Sequence, residues 1–291
     1  MAELITVSCG NVSTTIDSMG AQMMSLKLGD AEYLWQGDER WWPRRSPVLF
    51  PIVGNIRNDV ATSAQGEIHF GRHGIARSCE FAVEEALESE VTFLLCSNDE
   101  TRASFPYDFE LRLTYTAGEK GVTQGYKVTN TGDVPLPFTL GGHPAFNVPA
   151  PGADDAFEDY RLQFTQPWTY SSPTIEGGLW NLDHQMPLLD NSDNLPLNHR
   201  IFDVDTLMFV EVPDRSVKLV GTSGHGVQLN FPGFDYLGVW SAANDAPFVA
   251  VEPWIGCATC SDESDVFEEK RGTVTLQPGE SASFAFEMLP F

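Results

Sequence analysis

Three short segments each place one titratable side chain among residues that restrict the backbone or offer a flat apolar surface. They carry His73 in residues 71–77, His143 in residues 141–147 and Glu252 in residues 251–254. Glycine lets a backbone turn tightly or come close to a ligand, and proline fixes its own φ. Two imidazoles and a carboxylate in such settings could together form an acid–base site with an aromatic wall. Because the segments are far apart in the chain, only the fold can bring them together.

The neighbouring residues favour that interpretation. Residues 247–251 have the composition of a core strand that Glu252 closes, and a carboxylate in such a place is rarely buried without a partner or a role. His73 follows a probable strand, and His143 ends another one after two glycines. Taken alone, each histidine is more often structural than catalytic. The functional interpretation therefore depends on the recurrence of the three settings.

The composition argues against several kinds of partner. The chain has 291 residues and a formal net charge of −24 at pH 7, whereas nucleic-acid binding needs lysine and arginine to neutralise phosphates. The longest apolar stretch, residues 47–53, is far shorter than the roughly 20 residues that cross a bilayer. Nothing after Met1 has the basic start and apolar run of a signal peptide. We therefore expect a soluble, cytoplasmic protein that binds neither nucleic acid nor membranes.

The cysteines do not predict a disulfide framework. There are five of them, an odd and scattered number, which fits reduced thiols in the cytoplasm. Cys257 and Cys260 have the spacing of a metal or redox pair, but no second Cys or His pair accompanies them, as a structural zinc site would require. They are better interpreted as two small side chains after a strand, and we expect no metal site.

Arginine is concentrated in one part of this acidic chain. Six of the twelve arginines lie between positions 40 and 77, where only Asp59 and Glu67 oppose them. These arginines could pair with an acidic surface elsewhere. Alternatively, some of them line a pocket and hold hydroxyls or an anionic group, since guanidinium offers a fork of donors.

Apolar and polar residues alternate almost throughout, which predicts strands. The alternation is clearest in residues 109–115, 227–231 and 282–288. No stretch keeps helical spacing beyond a turn or two, and Pro or Gly recurs about every ten residues, as in sandwiches of many short strands. We predict an all-β fold, a large antiparallel β-sandwich that forms a single domain over residues 1–291.

Residues 147–200 lose this alternation. They contain six prolines, few alternating runs and several Asp and Asn residues. Long irregular connections within a compact domain often cover a pocket. An irregular, pocket-covering segment is therefore expected here.

The motifs resemble those of the aldose 1-epimerase (galactose mutarotase) family, especially its less characterised bacterial branch. The resemblance covers nearly the whole chain. In the family's order it comprises residues 33–37 and 47–54, the His73 and His143 motifs, and residues 204–209, 236–240 and 252–254. An ordered series of motifs is a strong signal, whereas any one alone would be weak. It implies a large, galactose mutarotase-like β-sandwich of mostly antiparallel strands.

The resemblance also implies a chemistry, the opening of a pyranose ring and its reclosure on the other face of C1. It assigns the base to Glu252, the acid to His143, and a contact near the reacting oxygens to His73. Reclosure reverses both proton transfers, so no cofactor is expected. Asp205 matches a family aspartate that binds ring hydroxyls, although an Asp before a strand is also an ordinary turn residue. Trp240 could stack on the sugar or belong to the core.

The chain departs from the family pattern at one arginine. Many members have an arginine that contacts the sugar just after the segment corresponding to residues 51–54. This chain has Asn55 there and Arg57 two residues later. Arg57 could reach the sugar, or Arg45 or Arg77 could replace it. Relatives that epimerise hexose 6-phosphates hold the phosphate with arginines, so a phosphosugar remains open.

The function expected from these observations is interconversion of the α and β anomers of a free hexose, a small-molecule partner. A hexose 6-phosphate is the alternative substrate. The free sugar is favoured because no lysine lies between Lys27 and Lys120 and the overall field repels anions. A carbohydrate-binding module without turnover is the alternative from another class, because sandwich folds host many functions. Neither the aldose nor the oligomeric state follows from the sequence.

Overall fold

The structure is a computed structural model that describes residues 3–291. Within this range the chain forms twenty-three strands and one α-helix, α1 (Asp99–Ser104). In chain order the strands are β1 (Leu4–Cys9), β2 (Val12–Asp17), β3 (Gln22–Leu28), β4 (Ala31–Glu32), β5 (Val48–Leu49), β6 (Val60–Ser63), β7 (Gly66–His69), β8 (Ala82–Ala86), β9 (Glu90–Cys96), β10 (Phe109–Ala117), β11 (Val122–Asn130), β12 (Leu136–Phe138), β13 (Leu140–Gly142), β14 (Ala145–Asn147), β15 (Arg161–Glu176), β16 (Leu179–Pro196), β17 (Leu207–Val210), β18 (Ser216–Val220), β19 (Gly226–Asn230), β20 (Tyr236–Trp240), β21 (Phe248–Ile255), β22 (Val274–Leu276) and β23 (Ser281–Pro290). Short 3₁₀ turns occupy Arg57–Asp59, Ala76–Ser78, Phe157–Asp159, His199–Phe202, Pro213–Arg215 and Phe267–Glu269.

Two large antiparallel sheets form the body of the fold. One has nine strands in the order β16-β15-β18-β19-β23-β11-β10-β9-β8, and the other runs β17-β20-β21-β13-β5 with β14 also paired to β21. A third sheet runs β1-β2-β3-β4, while β12-β22 and β6-β7 form separate pairs. The ladders within the two large sheets are antiparallel. The prediction of an all-β, antiparallel β-sandwich is confirmed.

The core lies between the large sheets because each contributes an apolar face. Along β10 every second side chain is buried, as period-two alternation requires. The Phe286 ring of β23 lies so close to Gly142 of β13 that a Cβ on this glycine would meet it at 2.6 Å. One hydrophobic cluster has members from Val7 to Met288. A core shared between both ends of the chain is what the expected single domain requires.

The helix is a minor element. α1 is capped reciprocally by Asn98 and Thr101, each side chain bonding the backbone N–H of the other. Its length of six residues agrees with the absence of any long helical pattern in the sequence. No helix within residues 3–291 is long and apolar enough to span a bilayer.

Strand β21 crosses the middle of the six-stranded sheet and carries Glu252. All eight of its residues are buried, and it pairs with β20 on one side and with β13 and β14 on the other. The prediction that Glu252 closes a core strand is wrong, because the strand continues to Ile255. Pro253 does not end it, since proline removes one backbone donor but its φ remains within the extended region.

Residues 147–200 are more regular than the irregular connection expected. Most of them form the β15–β16 hairpin, whose register shifts at several points between Gln163 and Thr174. These shifts and the many exposed side chains erase the alternation from the sequence. The segment does cover a cavity, because Ile175, Gly178 and Trp180 near its turn contribute to the cavity wall.

Gly238 tests how tightly this sheet is packed around Glu252, which lies opposite it in the β20–β21 ladder. A Cβ on Gly238 would meet the Trp254 indole at 2.0 Å. We expect Gly238→Ala to displace the indole and lower the free energy of unfolding by about 1–3 kcal/mol, the usual cost of overpacking. Urea unfolding measures this loss. The control is Gly71→Ala, where a Cβ meets nothing within 4 Å and the change should stay below about 0.5 kcal/mol. Equal losses in both variants would contradict the packing argument.

Candidate active site

The three titratable side chains singled out from the sequence meet at one cavity of about 240 Å³. His73 reaches it from the loop after β7, His143 from the residue after β13, and Glu252 from within β21. The remaining wall is formed by Trp42, Arg44, Pro47, Val53, Gly54, Asn55, Arg72, Arg77, Ile175, Gly178, Trp180, Asp205, Thr206, Trp240, Trp254 and Ala258. The fold thus joins segments that the sequence keeps apart.

A direct polar contact joins His143 to Glu252. Nε2 of His143 lies 3.3 Å from Oε1 of Glu252, and the two side chains are only 8% and 2% exposed. The indole Nε1 of Trp254 donates to the other carboxyl oxygen, Oε2, at 3.3 Å. Nδ1 of His143 is buried without a hydrogen-bond partner within residues 3–291. The carboxyl group is therefore held between an imidazole and an indole N–H, away from bulk water.

His73 is fixed by two hydrogen bonds to Gly54. Its backbone N–H donates to the Gly54 carbonyl at 2.6 Å, and the Gly54 N–H donates to Nδ1 of His73 at 3.1 Å. These bonds hold His73 at φ 68°, a conformation that is uncommon for a residue with a Cβ and is concentrated at functional sites. Because Nδ1 accepts a hydrogen bond, a neutral His73 carries its proton on Nε2. Nε2 then remains the donor for a ligand.

Aromatic rings enclose His143. The Trp42 ring stacks on the imidazole with centroids 4.8 Å apart and an interplanar angle of 23°. The Trp240 ring meets it edge-on at 5.7 Å, and the His73 ring does so at 5.4 Å. A stacked indole fixes the plane of the imidazole and tolerates a positive charge on it.

Burial shifts the pKa values of the acid–base residues in the directions that disfavour charge. Burial raises the pKa of Glu252 well above its ordinary value, and the charge of Asp205 adds to the effect. Burial also lowers the pKa of His143 to about 3 and that of His73 well below its ordinary value, with further lowering by nearby arginines. Both shifts favour a neutral His143–Glu252 pair that shares one proton over an ion pair.

Three arginines reach the same cavity. Arg72 donates to Asn55 Oδ1 through Nε at 3.3 Å, and its Nη2 lies 3.9 Å from Oδ2 of Asp205. Arg77 and Arg44 also line the wall. Burial lowers the pKa of Arg77, as do the charges of Arg44 and Arg72, and no carboxylate within residues 3–291 pairs with it. The cavity wall therefore carries three guanidinium groups near both histidines.

Not every residue proposed from the sequence reaches this cavity. Arg77, Asp205 and Trp240 line it. Arg57 lies outside, bonded to Asp265 at 2.5 Å and to three backbone carbonyls of the loop after β21. Arg45 also lies outside, donating to the Met24 carbonyl and to the side chain of Gln36. Both guanidinium groups are committed to structural contacts.

Trp42 and Trp180 are wall residues that the sequence does not single out, whereas Arg44 and Arg72 belong to the arginine-rich segment from which pocket residues are expected. Trp42 belongs to the same arginine-rich segment. Trp180 had no such signal, because only the fold of the β15–β16 hairpin brings it over the cavity.

The hairpin is fastened to the loop after β21. The Trp180 N–H donates to the Thr259 carbonyl at 3.1 Å, and the Ser261 N–H donates to the Trp180 carbonyl at 2.8 Å. Cys257 and Cys260 are fully buried in a small apolar cluster with the Trp180 ring. The two cysteines therefore pack beneath the hairpin, which holds Trp180 at the cavity.

This β-sandwich is placed among the sugar epimerases by its similarity to a known protein family. The chain belongs to the aldose 1-epimerase family, whose model matches residues 3–288. It is 35% identical over 296 aligned positions to the plasmid-encoded protein LacX of Lactococcus lactis subsp. lactis, with 98% of this chain and 99% of the relative covered.

Solved structures agree with this placement. A galactose mutarotase related enzyme from Lactobacillus acidophilus superimposes with a TM-score of 0.94 at 28% identity, covering 99% of this chain and 97% of the other. A galactose mutarotase-like protein from Lactobacillus casei gives a TM-score of 0.90 at 31% identity, with 99% and 100% covered. Nearly the whole length of each protein shares one fold.

Replacing Glu252 should change how stability depends on pH. The folded chain keeps a carboxyl proton that the unfolded chain releases above about pH 4.3, so this group makes the free energy of unfolding fall as pH rises toward its raised pKa. The slope is at most about 1.4 kcal/mol per pH unit. We expect Glu252→Gln to lose this component above about pH 5, as measured by urea unfolding. Glu67→Gln, at an exposed carboxylate, should keep the wild-type slope. Identical slopes in all three proteins would show that Glu252 is not held neutral.

Proposed function

We propose that this protein is an aldose 1-epimerase that interconverts the α and β anomers of a hexose by general acid–base catalysis. The observation that carries the proposal is the buried contact between His143 Nε2 and Glu252 Oε1 within a cavity walled by polar and aromatic side chains. A protein that only bound sugar would need neither a desolvated carboxyl group nor an imidazole beside it. The family membership supports the same reaction class.

The pair can complete the reaction without exchanging protons with solvent. In the reactive form Glu252 is a carboxylate and His143 an imidazolium. Glu252 accepts the proton of the anomeric hydroxyl while His143 donates its proton to the ring oxygen, so the C1–O5 bond breaks and a C1 carbonyl forms. After rotation about C1–C2, reclosure on the other face reverses both transfers. The pair holds one proton throughout, so no step creates a net charge in the buried site, although burial disfavours the ion-paired form relative to the neutral one.

The neighbouring residues suit a sugar ligand. Because Nδ1 of His73 already accepts a hydrogen bond, its Nε2–H is free to donate to a sugar oxygen. Asp205, at φ 74°, is in the left-handed region and presents a carboxylate at the cavity wall. Trp240 offers a ring to the apolar face of a pyranose. We assign these three residues to substrate binding.

Removal of the base tests the assignment directly. Glu252→Gln keeps the shape of the side chain and loses its basicity, so anomer exchange should slow by about 10²–10⁴-fold. His143→Asn should have a comparable effect. Exchange is measured by NMR on freshly dissolved α-hexoses, with the buffer rate subtracted. Glu67→Gln and His69→Asn are the matched controls, because this exposed pair lies on the neighbouring hairpin and should keep wild-type rates.

Two other outcomes of this experiment would overturn the proposal. No acceleration by wild-type protein across several hexoses and their 6-phosphates would exclude an aldose 1-epimerase. If calorimetry then showed saturable sugar binding, the protein would be a carbohydrate-binding module instead.

The pH dependence of the exchange rate should reflect the one proton that His143 and Glu252 share. Because the pKa of His143 is lowered to about 3 and that of Glu252 is raised well above its ordinary value, the one-proton state persists on acidification below the ordinary histidine value of about 6.5. With a free hexose we expect no fall in rate on acidification to about pH 5, and a fall only as the pH rises through the raised pKa of Glu252 and the pair loses its proton. A rate that fell through an apparent pKa near 6.5 on acidification would show that an ordinary histidine controls the step.

A further inference from the structure

We propose that Trp254 is a positioning residue that gives the two carboxyl oxygens of Glu252 different roles. Its indole N–H holds Oε2, which takes no part in proton transfer, and leaves Oε1 as the oxygen that exchanges a proton with the ligand. The inference rests on the proposed function and deepens it, because it states how the base of that site is oriented and kept ready.

The two oxygens of the carboxyl group have different partners. Oε1 lies 3.3 Å from Nε2 of His143, its partner in the neutral pair, whereas Oε2 accepts the hydrogen bond of the Trp254 indole at 3.3 Å. An indole nitrogen is a donor only, so it can hold an oxygen but cannot accept a proton. Oε1 is therefore the oxygen that can pass its proton to His143 and accept another from a hydroxyl group.

The fold fixes the indole in this place. Trp254 and Glu252 are two residues apart on β21, so their side chains lie on the same face of the sheet. Gly141 of β13 lies opposite Trp254, and a Cβ there would meet the indole at 2.6 Å. Gly238 of β20 lies opposite Glu252, and a Cβ there would meet it at 2.0 Å. Glycine weakens a strand interior and often marks the close approach of another group. The two glycines thus form a slot that sets the position of the N–H.

The hydrogen bond from Trp254 is stronger in the reactive form of the site. Burial raises the pKa of Glu252 well above its ordinary value, whereas this hydrogen bond lowers it. A hydrogen bond to a charged group contributes more than one to a neutral group. The bond therefore favours the carboxylate, which is the form that accepts the anomeric proton. Because the indole is already in place, no donor has to move when charge develops on the carboxyl group.

Three other titratable or charged groups act on Glu252. Asp205 raises the pKa of Glu252 and Arg72 lowers it, both from the cavity wall, and His143 is the partner at Oε1. A substitution that removes the indole N–H but keeps the ring leaves all three unchanged. Such a substitution therefore isolates the effect of the hydrogen bond.

The test replaces Trp254 by benzothienylalanine, an isostere in which sulfur takes the place of the indole N–H. Anomer exchange of glucose and galactose is measured by NMR on the full chain. We expect kcat to fall roughly 10-fold or more, because the carboxylate loses a charge-assisted hydrogen bond and its fixed orientation. KM should change by less than about twofold, since the ring at the cavity wall is retained. The fall in rate on the alkaline side should move to higher pH, because the hydrogen bond no longer lowers the pKa of Glu252.

Trp41 provides the matched control. Its indole N–H also donates a hydrogen bond, to the Asn244 carbonyl at 2.8 Å, and among residues 3–291 it is not one that lines the cavity. The same isostere at this position should keep the kcat, the KM and the alkaline limit of the wild type. An equal loss of kcat at both positions would show a general effect of the substitution on the fold and overturn the assignment.

A second measurement does not depend on turnover. In proton–nitrogen NMR of the full chain, the indole N–H signal of Trp254 is the one that Trp254→Phe removes. We expect its proton shift to follow the titration of Glu252 on the alkaline side and to lose that dependence in Glu252→Gln. The indole signal of Trp41 should be the same in both proteins. A Trp254 signal with the same pH dependence in the wild type and in Glu252→Gln would overturn the hydrogen bond.

The outcomes separate this inference from the proposed function. Wild-type kcat and a wild-type alkaline limit in the benzothienylalanine protein would overturn the role of Trp254 and leave the epimerase intact. A rise in KM without a fall in kcat would also overturn it, because the indole would then contribute contact with the sugar rather than a hold on Glu252. If the wild type exchanged no hexose, the epimerase would fail, and the NMR titration alone would decide whether Trp254 holds the carboxyl group.

Discussion

A carboxyl group buried in the middle of a core strand is the constraint on which the rest of this structure depends. Glu252 lies within β21 and has almost no exposed surface. An ionised carboxylate in that position is costly unless it has partners. His143 and the Trp254 indole supply them, and a single proton shared with the imidazole keeps the pair neutral. The carboxyl group can therefore stay buried in the sheet without a net charge.

The sheet around this group is shaped to admit the indole. Trp254 lies over two glycines of neighbouring strands, Gly141 and Gly238, at which a Cβ would meet its ring within 2.6 Å. The same ring gives the carboxyl its N–H donor and forms part of the cavity wall. Packing and chemistry are therefore coupled, because a change in either glycine would move a group that touches Glu252.

The cavity combines two electrostatic environments. His143 and Glu252 form a contact among tryptophan rings, and three arginines and one carboxylate, Asp205, line the same cavity. The arginines also depress the pKa of both histidines. Two of the residues that complete the site, His73 and Asp205, have positive φ values, so the loops that carry them are held in sparsely populated conformations by the surrounding fold. The geometry of the site is thus set by the scaffold before a ligand arrives.

The sequence by itself determined the all-β architecture and singled out His73, His143 and Glu252, which line one cavity. Period-two alternation records which face of a strand is buried, and the glycine- and proline-rich surroundings of His73, His143 and Glu252 mark them locally. The sequence could not determine the β15–β16 hairpin, because its shifted register and exposed side chains leave no alternation to detect.

Only the tertiary structure decided which arginines line the cavity. Arg44 and Arg45 are adjacent and identical in type, yet one lines the cavity and the other bonds to the Met24 carbonyl. Arg57 likewise pairs with Asp265, which is far away in the chain. The direction of a long side chain depends on partners brought together by folding, and no local pattern in the sequence encodes those partners.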